Sequence, residues 1–337
     1  MTETTQAGRP ARRPDGRRAF ALGTRGSALA LRQAQVVADA LAVASGRSVR
    51  LQVITTAGDR SGRPVSELGD TGVFVTGVRD ALLAGEVDLA VHSYKDLPTA
   101  AVDGLVIGAV PPRADPRDVV VTTGGQLLSA LPPGARVGTG AARRAALLRA
   151  SGLAIEVVPM RGNVTTRIEA VRAGTIDAVV VAFAGLTRLG LADAAAEILD
   201  PADFVPAPAQ GELAVECRAD DDQMIAALAG LDDGAARATV TAERATLAGL
   251  QAGCTAPVGA FATVGGAAAV STVGGAAAVG TVGGAAISVR GVVAAIDGSA
   301  VIRSSQHGFT NQADDVGRRL AADLIAAGAA TLLGSTR

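Results

Sequence analysis

The chain has 337 residues, of which 49% are hydrophobic and 2% aromatic, and its formal net charge is -1. A chain of this length is expected to form two or three domains, since a single hydrophobic core stops growing at about 250–300 residues. The near-neutral charge argues against a protein drawn as a whole to nucleic acid or to an anionic membrane, and the shortage of aromatic rings argues against a platform for stacking bases.

Apolar runs alternate with helical periods in the first third of the chain. We predict strands at 20–23, 49–55, 87–91 and 105–110, with helices at 28–44 and 73–84. The pattern is repeated with strands at 118–122, 136–138, 155–159 and 177–182, helices at 141–151 and 164–173, and a short helix near Leu186. Such alternation is typical of a mainly parallel sheet.

The last third has a different pattern. A strand at 213–217 precedes helices at 222–231 and 235–252, and a smaller α+β unit ends in a helix with Val316, Leu320 and Leu324 on one face. Within this unit a nine-residue repeat begins Thr-Val-Gly-Gly-Ala-Ala and fills 263–286. Three copies of so short a unit indicate a flexible or extended β loop.

Proline-rich stretches at 111–112 and 206–208 are the expected crossing points between the first two units. We therefore predict an α/β protein of three domains. Residues 19–113 with 209–232 form domain 1, residues 114–208 form domain 2, and residues 233–337 form a small α+β domain. Ligands of open α/β sheets bind at the carboxyl ends of strands, so the site is expected in a cleft between domains 1 and 2.

The amino terminus and the cysteines bear on location. Residues 1–18 carry several arginines but no apolar segment, so we interpret them as a disordered basic arm and not as a secretory signal. Cys217 and Cys254 lie too far apart for a CxxC site and are too few for a disulfide framework. No apolar run long enough to span a membrane is present. These observations predict a cytoplasmic protein.

Scarce side chains cluster in the segment after the strand at 87–91. Lys95 is the sole lysine, Tyr94 the sole tyrosine, and His92 one of two histidines. Asp96 beside Lys95 is a candidate acid/base group, with a proton affinity set by burial and by the adjacent ammonium. An isolated Lys-Asp pair is more often a solvated turn. The scarcity of lysine favours the functional interpretation.

Arginines stand next to glycines at three predicted strand-to-helix junctions, around Arg25, around the Arg143-Arg144 pair, and from Arg161 to Arg167. Helix N-termini attract anions, and a guanidinium adds a planar fork suited to carboxylates. Any one such arginine is usually a surface residue, but three junctions favour a polyanion site. Residues 138–140 begin like a dinucleotide fingerprint but lack its third glycine, and no metal-hydrolase or nucleotide-triphosphatase motif occurs.

The two cysteines differ in setting. Cys254 lies in a loop bounded by glycine and proline after a predicted helix, where a thiol can act as a nucleophile or a covalent anchor. Cys217 lies in an apolar strand and fits the alternative, a small buried hydrophobe.

Taken together, these motifs resemble the porphobilinogen deaminase family from about Leu22 to Ala262. The segments that carry the resemblance, in family order, are Gly23-Thr24-Arg25-Gly26-Ser27, Val91-His92-Ser93-Tyr94-Lys95-Asp96-Leu97-Pro98-Thr99, Asp115-Pro116-Arg117-Asp118, Arg161-Gly162-Asn163, Ala184-Gly185-Leu186-Thr187-Arg188-Leu189-Gly190, Pro208-Ala209-Gln210-Gly211 and Gly253-Cys254.

The resemblance implies a transferase of tetrapyrrole (heme) biosynthesis whose first two domains are similar to type II periplasmic-binding-protein lobes. It would join four porphobilinogen molecules head to tail, release ammonia, and make hydroxymethylbilane on a dipyrromethane primer held by Cys254. It also implies a monomer, whereas the expectation of no metal, nucleic acid or membrane partner rests on the missing motifs, the near-neutral charge and the lack of a long apolar run. Asp96 would be the general acid/base; Lys95, Ser27, Arg143, Arg144, Arg167 and Arg188 would bind the cofactor, and Arg25, Arg161, Gln210 and Phe74 the substrate.

The chain departs from the family at two places. Gly140 and Ala141 stand where relatives commonly have hydroxyl residues, which removes two hydrogen bonds to cofactor carboxylates and predicts weaker primer binding. Glu67 and Asp70 stand in a glycine loop where some relatives have lysines, which puts an anion-grasping role of this lid in doubt. The alternatives are a catalytically weakened paralogue and a non-catalytic two-lobed anion-binding protein, which would need neither Asp96 nor Cys254.

Overall fold

This computed structural model describes residues 18–56, 75–253, 255–265 and 284–334. Four of the sequence predictions therefore lie outside the described residues: nearly all of the basic arm, the glycine loop with Phe74, the anchor Cys254 and most of the nine-residue repeat. Within the described ranges the strands assemble into three separate sheets, two of five strands and one of three.

The first sheet has the order β2-β1-β3-β10-β4. Strands β1, β2 and β3 are mutually parallel, and β10 is antiparallel to both β3 and β4, so four of the five strands share one direction. Helices α1, α2 and α6 belong to this unit. The strands are β1 (Phe20–Thr24), β2 (Val49–Val53), β3 (Leu89–Ser93), β4 (Leu105–Ala109) and β10 (Leu213–Arg218), and the helices are α1 (Ala28–Ser45), α2 (Thr76–Leu83) and α6 (Asp222–Leu228).

The second sheet has the order β7-β6-β8-β5-β9, and here β5 is the strand that runs against the other four. Both sheets are thus mixed and mainly parallel, as predicted. The two-residue strand β9 was missed by the sequence analysis. The strands are β5 (Asp118–Thr122), β6 (Arg136–Thr139), β7 (Glu156–Pro159), β8 (Ala178–Ala182) and β9 (Glu197–Ile198), and the helices are α3 (Ala142–Ala150), α4 (Val164–Arg172) and α5 (Phe183–Arg188).

The third sheet is antiparallel, in the order β11-β12-β13. Helices α7 and α8 pack on it and on each other, and Val316, Leu320 and Leu324 of α8 are fully buried against it, which confirms the predicted apolar face. Its strands are β11 (Val258–Gly265), β12 (Ala286–Ala294) and β13 (Val301–Phe309), and its helices are α7 (Gly234–Gly249), α8 (Ala313–Ala326) and α9 (Ala329–Gly334). In the described part of the chain, none of the helices combines the length and the apolar character needed to cross a bilayer.

The chain passes from the first sheet to the second through residues 110–117 and returns through 199–212. These two crossing segments lie side by side, because the amide of Ala114 donates to the carbonyl of Gly211 at 3.3 Å and the side-chain amide of Gln210 donates to the carbonyl of Pro116 at 2.8 Å. The proline stretches at 111–112 and 206–208 lie within these two segments. Residues on this double connection can contact both sheets.

Candidate active site

Asp96 lies on a single 3₁₀ turn, Tyr94–Asp96, that follows the buried strand β3 without a break. The turn is closed by a hydrogen bond from the amide of Leu97 to the carbonyl of Tyr94, 3.1 Å long. Tyr94 and Leu97 are buried, whereas Asp96 is exposed. The fold therefore anchors both sides of the turn in apolar core and presents the carboxylate of Asp96 outward.

A cavity beside this turn brings together residues from the ends of β1 and β3 and the start of α1. Ser27 caps α1, since its hydroxyl accepts a hydrogen bond from the amide of Ala30 at 3.2 Å. One turn further along, the side-chain amide of Gln33 donates to the hydroxyl of Ser93 at 2.7 Å. Gln33 was missed by the sequence analysis, in which it is one more polar residue on a helix. The cavity is lined by Arg25, Ser27, Gln33, His92, Ser93 and Asp96, among others.

Arg143 and Arg144, in the first turn of α3, are buried and point to one carboxylate. Asp118 at the start of β5 accepts from the Nη2 atom of Arg143 at 2.7 Å and from the Nε and Nη2 atoms of Arg144 at 3.0 and 2.7 Å. Arg143 also donates to the carbonyl of Val205 at 2.7 Å. These charge-assisted bonds hold both guanidinium groups in fixed orientations.

Gln210, on the returning crossing segment, joins this pair to Lys95. Its Oε1 atom lies 3.3 Å from both the Nζ atom of Lys95 and the Nη2 atom of Arg144, and its Nε2 atom donates to Asp118 at 2.8 Å. The first sheet contributes Lys95 and the second contributes Arg144 and Asp118. Gln210 therefore connects the two predicted halves of the site.

The charge in this cluster is not balanced. Burial and, to a smaller extent, the nearby positive charge of Arg144 lower the pKa of Lys95 to about 8. Burial likewise lowers the pKa of Arg143, which the carboxylate of Asp118 counteracts only in part. Conversely, the pKa of Asp118 falls to about 2 because, despite its burial, two guanidinium groups favour its ionised form. Such a cluster favours the binding of a further anion.

Arg167 and Arg188 extend the positive region, and both are half-buried. Arg167 donates to the carbonyl of Gly162 at 3.0 Å, and Arg188 donates to the carbonyl of Gly211 at 2.7 Å. Burial lowers the pKa of each, and Arg144 lowers that of Arg167 as well. Arg161 is exposed and precedes Gly162 in the loop before α4. Asn163 caps α4, since its side chain accepts a hydrogen bond from the amide of Thr166 at 2.9 Å.

Of the two cysteines, the structure describes only Cys217. Cys254 lies outside the described residues, as does Phe74. Cys217 is a free and buried cysteine on β10 of the first sheet, and burial raises the pKa of its thiol to about 11. A thiol of that pKa is almost fully protonated at neutral pH and is a poor nucleophile. The interpretation of Cys217 as a small buried hydrophobe agrees with this setting.

Another buried ion pair, which the sequence analysis missed, joins a crossing segment to helix α7 of the third unit. Arg113 of the outgoing crossing segment donates to both carboxylate oxygens of Glu243 on α7, at 2.7 and 3.1 Å. Glu243 also accepts from the amides of Ala209 and Ala262, at 2.6 and 2.7 Å. The pairing joins residues 130 positions apart in the sequence, so no local pattern reveals it.

The geometry suits binding of an acidic ligand, and the described residues contain no group of three or more His, Cys, Asp or Glu side chains arranged to hold a metal ion. Comparison with known proteins agrees on one family. The family model for the porphobilinogen deaminase dipyromethane cofactor binding domain matches residues 20–226, and the model for the porphobilinogen deaminase C-terminal domain matches residues 237–326.

Curated relatives match over nearly the whole chain. The porphobilinogen deaminase of Mycobacterium bovis is 52% identical over 316 residues, which are 94% of this chain and 99% of the relative. That of Nocardia farcinica is 52% identical over 312 residues, 93% of this chain and 87% of the relative.

Two solved structures share a more distant likeness. A periplasmic substrate-binding protein of an ABC transporter from Coxiella burnetii superposes with a TM-score of 0.41 at 13% identity, covering 63% of this chain and 91% of its own. Immunogenic lipoprotein A from Vibrio vulnificus gives a TM-score of 0.40 at 14% identity, with 62% and 92% covered. It is the two family domains, matched in order, and the near-complete alignment with the curated relatives that show the chain to belong to the porphobilinogen deaminase family.

Proposed function

We propose that this protein is a hydroxymethylbilane synthase, a transferase that joins four molecules of porphobilinogen head to tail and releases ammonia. The observation that carries the proposal is the cluster of Lys95, Arg143 and Arg144 around Asp118, next to the exposed carboxylate of Asp96. Each pyrrole of the substrate brings an acetate and a propionate, so the bound chain becomes more negative with every addition.

The basic residues act as binding groups. Guanidinium forks suit carboxylates, and each charge-assisted hydrogen bond contributes about 1.5–3 kcal/mol. The family's dipyrromethane cofactor fits the residues present, because it is itself a polycarboxylate and the cluster has excess positive charge. Lys95, Ser27, Arg143, Arg144, Arg167 and Arg188 would hold the cofactor, and Arg25, Arg161, Gln210 and Phe74 would bind the incoming substrate. When bound, the cofactor supplies the free pyrrole carbon that is extended.

Asp96 is the proposed general acid/base. It is exposed on a turn whose neighbours are buried, so it can reach a pyrrole nitrogen while its backbone stays fixed. In the ionised form it accepts a proton from the pyrrole or stabilises the positive charge that develops as ammonia leaves, and in the protonated form it donates.

The proposed point of attachment for the cofactor is Cys254. The chain has two cysteines, and the raised thiol pKa of Cys217 argues against that residue. Intact-mass measurement of the purified protein is expected to show an adduct of two pyrrole units. Cys254→Ser should abolish the adduct, and Cys217→Ser, the matched control, should retain it. An adduct that survives Cys254→Ser would place the anchor elsewhere.

Ammonia release from porphobilinogen tests the activity. We expect turnover with the full chain and a loss of at least about 10²-fold in Asp96→Ala, the usual scale for removing a general acid/base. Asp103→Ala removes an exposed carboxylate from the same unit and serves as the control. An active protein whose Asp96→Ala variant keeps normal turnover would remove Asp96 from the mechanism. A loaded protein that releases no ammonia would favour the weakened paralogue.

We also propose a cytoplasmic monomer, divided at the domain boundaries given by the sequence. A free buried cysteine agrees with a reducing compartment. Each sheet's strands fall within one proposed domain, which supports boundaries in the crossing segments. Light scattering coupled to size exclusion tests the monomer, since a dimer would elute with twice the mass of the chain.

A further inference from the structure

Arg244, on α7 of the third unit, reaches across to the turn that carries Asp96. Its guanidinium donates to the carbonyl oxygens of Leu97 at 2.9 Å and Pro98 at 2.6 Å. Its Nη1 atom also lies 3.4 Å from the carbonyl oxygen of Tyr94. The same guanidinium stands 4.6 Å from the centroid of the Tyr94 ring. One side chain thus contacts the backbone on both sides of Asp96.

A turn of this length does not hold its shape unaided. A single 3₁₀ turn has few internal hydrogen bonds and leaves carbonyl groups that need partners. Arg244 satisfies these carbonyls with charge-assisted bonds, and stacking on Tyr94 adds a cation–π contact. On the opposite side the amide of Tyr94 donates to the carbonyl of Glu212 at 3.1 Å. Because Asp96 itself is exposed, the position of its carboxylate follows from these contacts to the backbone.

The helix that supplies Arg244 also contacts the crossing segments. The preceding residue, Glu243, binds Arg113 and the amides of Ala209 and Ala262. Helix α7 ends at Gly249, shortly before Cys254 in the sequence. Helix α7 therefore precedes the proposed anchor in the chain and also contacts the turn that carries Asp96.

We propose that Arg244 is a positioning residue for the reaction: it fixes the Tyr94–Pro98 backbone so that Asp96 meets the substrate held on the anchored primer. This inference rests on the proposed function. Arg244 acts through Asp96 and makes no chemical contribution of its own. A displacement of about 1 Å at a reacting group can cost about 10²-fold in rate, so loss of the Arg244 hydrogen bonds is expected to lower turnover measurably.

A matched control lies two helical turns earlier on α7. Arg237 donates to Asp232 at 2.7 Å and to the carbonyl of Ile107 at 3.3 Å, so it too joins α7 to the first unit through an ion pair and a backbone carbonyl. Among the described residues it makes no hydrogen bond to the Tyr94–Pro98 backbone. Arg237→Gln should therefore lower stability without a specific effect on the chemical step.

The test compares Arg244→Gln with Arg237→Gln in protein shown by intact mass to carry the primer. We expect kcat for ammonia release to fall about 10- to 100-fold in Arg244→Gln with KM changed less than about 3-fold, and Arg244→Lys to restore part of the loss because an ammonium still donates to carbonyls. Arg237→Gln should stay within about 2-fold of the wild type. Equal effects of the two substitutions would overturn the proposal.

A double-mutant cycle separates positioning from general stability. If Arg244 acts through Asp96, adding Arg244→Gln to Asp96→Asn should cost less than about 2-fold beyond Asp96→Asn alone, whereas independent roles would multiply. A multiplied loss refutes the proposal. If Arg244→Gln does not fold, Arg244→Lys takes its place in the same cycle. A wild-type protein without ammonia release would count against the proposed function, whereas active wild type with an unimpaired Arg244→Gln counts against this inference alone.

Discussion

Asp118 accepts two hydrogen bonds from Arg144 on one carboxylate oxygen, at 3.0 and 2.7 Å, while its other oxygen accepts from Arg143 at 2.7 Å. All three side chains are buried. A carboxylate at the start of β5 therefore fixes the two arginines that open α3 before any ligand arrives. Such preorganisation reduces the ordering cost of binding a polyanion.

Asp118→Asn is expected to destabilise the protein by about 3–5 kcal/mol, the scale for breaking a buried ion pair by removing one partner. The shape is nearly unchanged, but two buried guanidinium groups lose their counter-charge. Since the pKa of Asp118 is about 2 in the folded state against about 3.8 unfolded, its contribution is present above pH 4 and is lost as pH falls toward 2. Urea unfolding at pH 7 measures the cost.

The control for this prediction is Asp115→Asn. Asp115 pairs with Arg117 at 2.6 Å, but the side chains are 27% and 41% exposed. Solvent screening limits such a pair to about 0–1 kcal/mol. Similar losses in the two variants would mean that Asp118 is not specially placed.

Lys95 offers a direct view of the charge in the site, because it is the sole lysine of the chain. In protein without primer, prepared as Cys254→Ala, its pKa is expected near 8. A bound polycarboxylate favours the ammonium form and should raise the pKa. The ε-carbon resonance of ¹³C-labelled lysine then gives a single signal to titrate in the unloaded and loaded proteins.

Linkage fixes the accompanying pH dependence. The folded state binds fewer protons than the unfolded state between pH 8 and about 10.5, so the free energy of unfolding should increase with pH across that window in the unloaded protein. Anion affinity should fall above pH 8 as the ammonium is lost. A Lys95 signal that titrates at 10.5 in the unloaded protein would contradict the described burial and charge.

Much of the fold follows from local pattern. Strands such as β1 and β8 are continuous apolar runs because both faces of their sheets are covered, and Ser27 and Asn163 mark helix starts as capping residues do. The turn after β3 is also predicted from local sequence, because polar residues and a proline follow a buried strand. These signals lie within a few residues of the feature that they specify.

The arrangement of the site is not local in this sense. Gln210 meets Asp118 from 92 residues away, and Arg244 meets Pro98 from 146. The sequence identifies these as polar residues near glycines or on a helix, but tertiary packing decides their partners. For the same reason Arg143 and Arg144, predicted as ligands for the cofactor, are also the partners of Asp118. Their roles toward the cofactor stay predictions.

Glu212 is a buried acid that the sequence analysis did not select. One carboxylate oxygen lies 3.3 Å from the hydroxyl of Thr239 and 3.4 Å from the Nε atom of Arg113, while the other has no hydrogen-bond partner among the described residues. Burial, with the added charge of Glu243, raises its pKa to about 8, although the charge of Arg113 opposes the rise. Glu243 already accepts hydrogen bonds from both Nη atoms of Arg113.

Glu212→Gln should make the free energy of unfolding less dependent on pH between 4.5 and 8. The folded state holds a proton that the unfolded state releases near pH 4.5, so wild-type stability should decrease between pH 4.5 and 8, by up to about 1.4 kcal/mol per pH unit. Glutamine does not titrate, so the variant should lack this slope and unfold at a higher temperature at pH 7.5. Calorimetry at pH 5.5 and 7.5 measures both. Parallel wild-type and variant curves would show that Glu212 is ionised in the folded protein.

Gly140 and Ala141, the two positions near the arginine pair at which the chain departs from the family, should respond in opposite directions to substitution by serine. Ala141 is the N-cap of α3, with extended backbone and no side-chain hydrogen bond, so Ala141→Ser supplies an acceptor for the free amides of the first turn and should stabilise by about 1 kcal/mol. At Gly140 a Cβ atom would lie 2.6 Å from the carbonyl oxygen of Met160, so Gly140→Ser forces β7 and α3 apart and should lower the free energy of unfolding. Urea unfolding of the two variants beside the wild type measures the signs. A stabilised Gly140→Ser would mean that the loop can yield, and that a hydroxyl at that position is compatible with this fold.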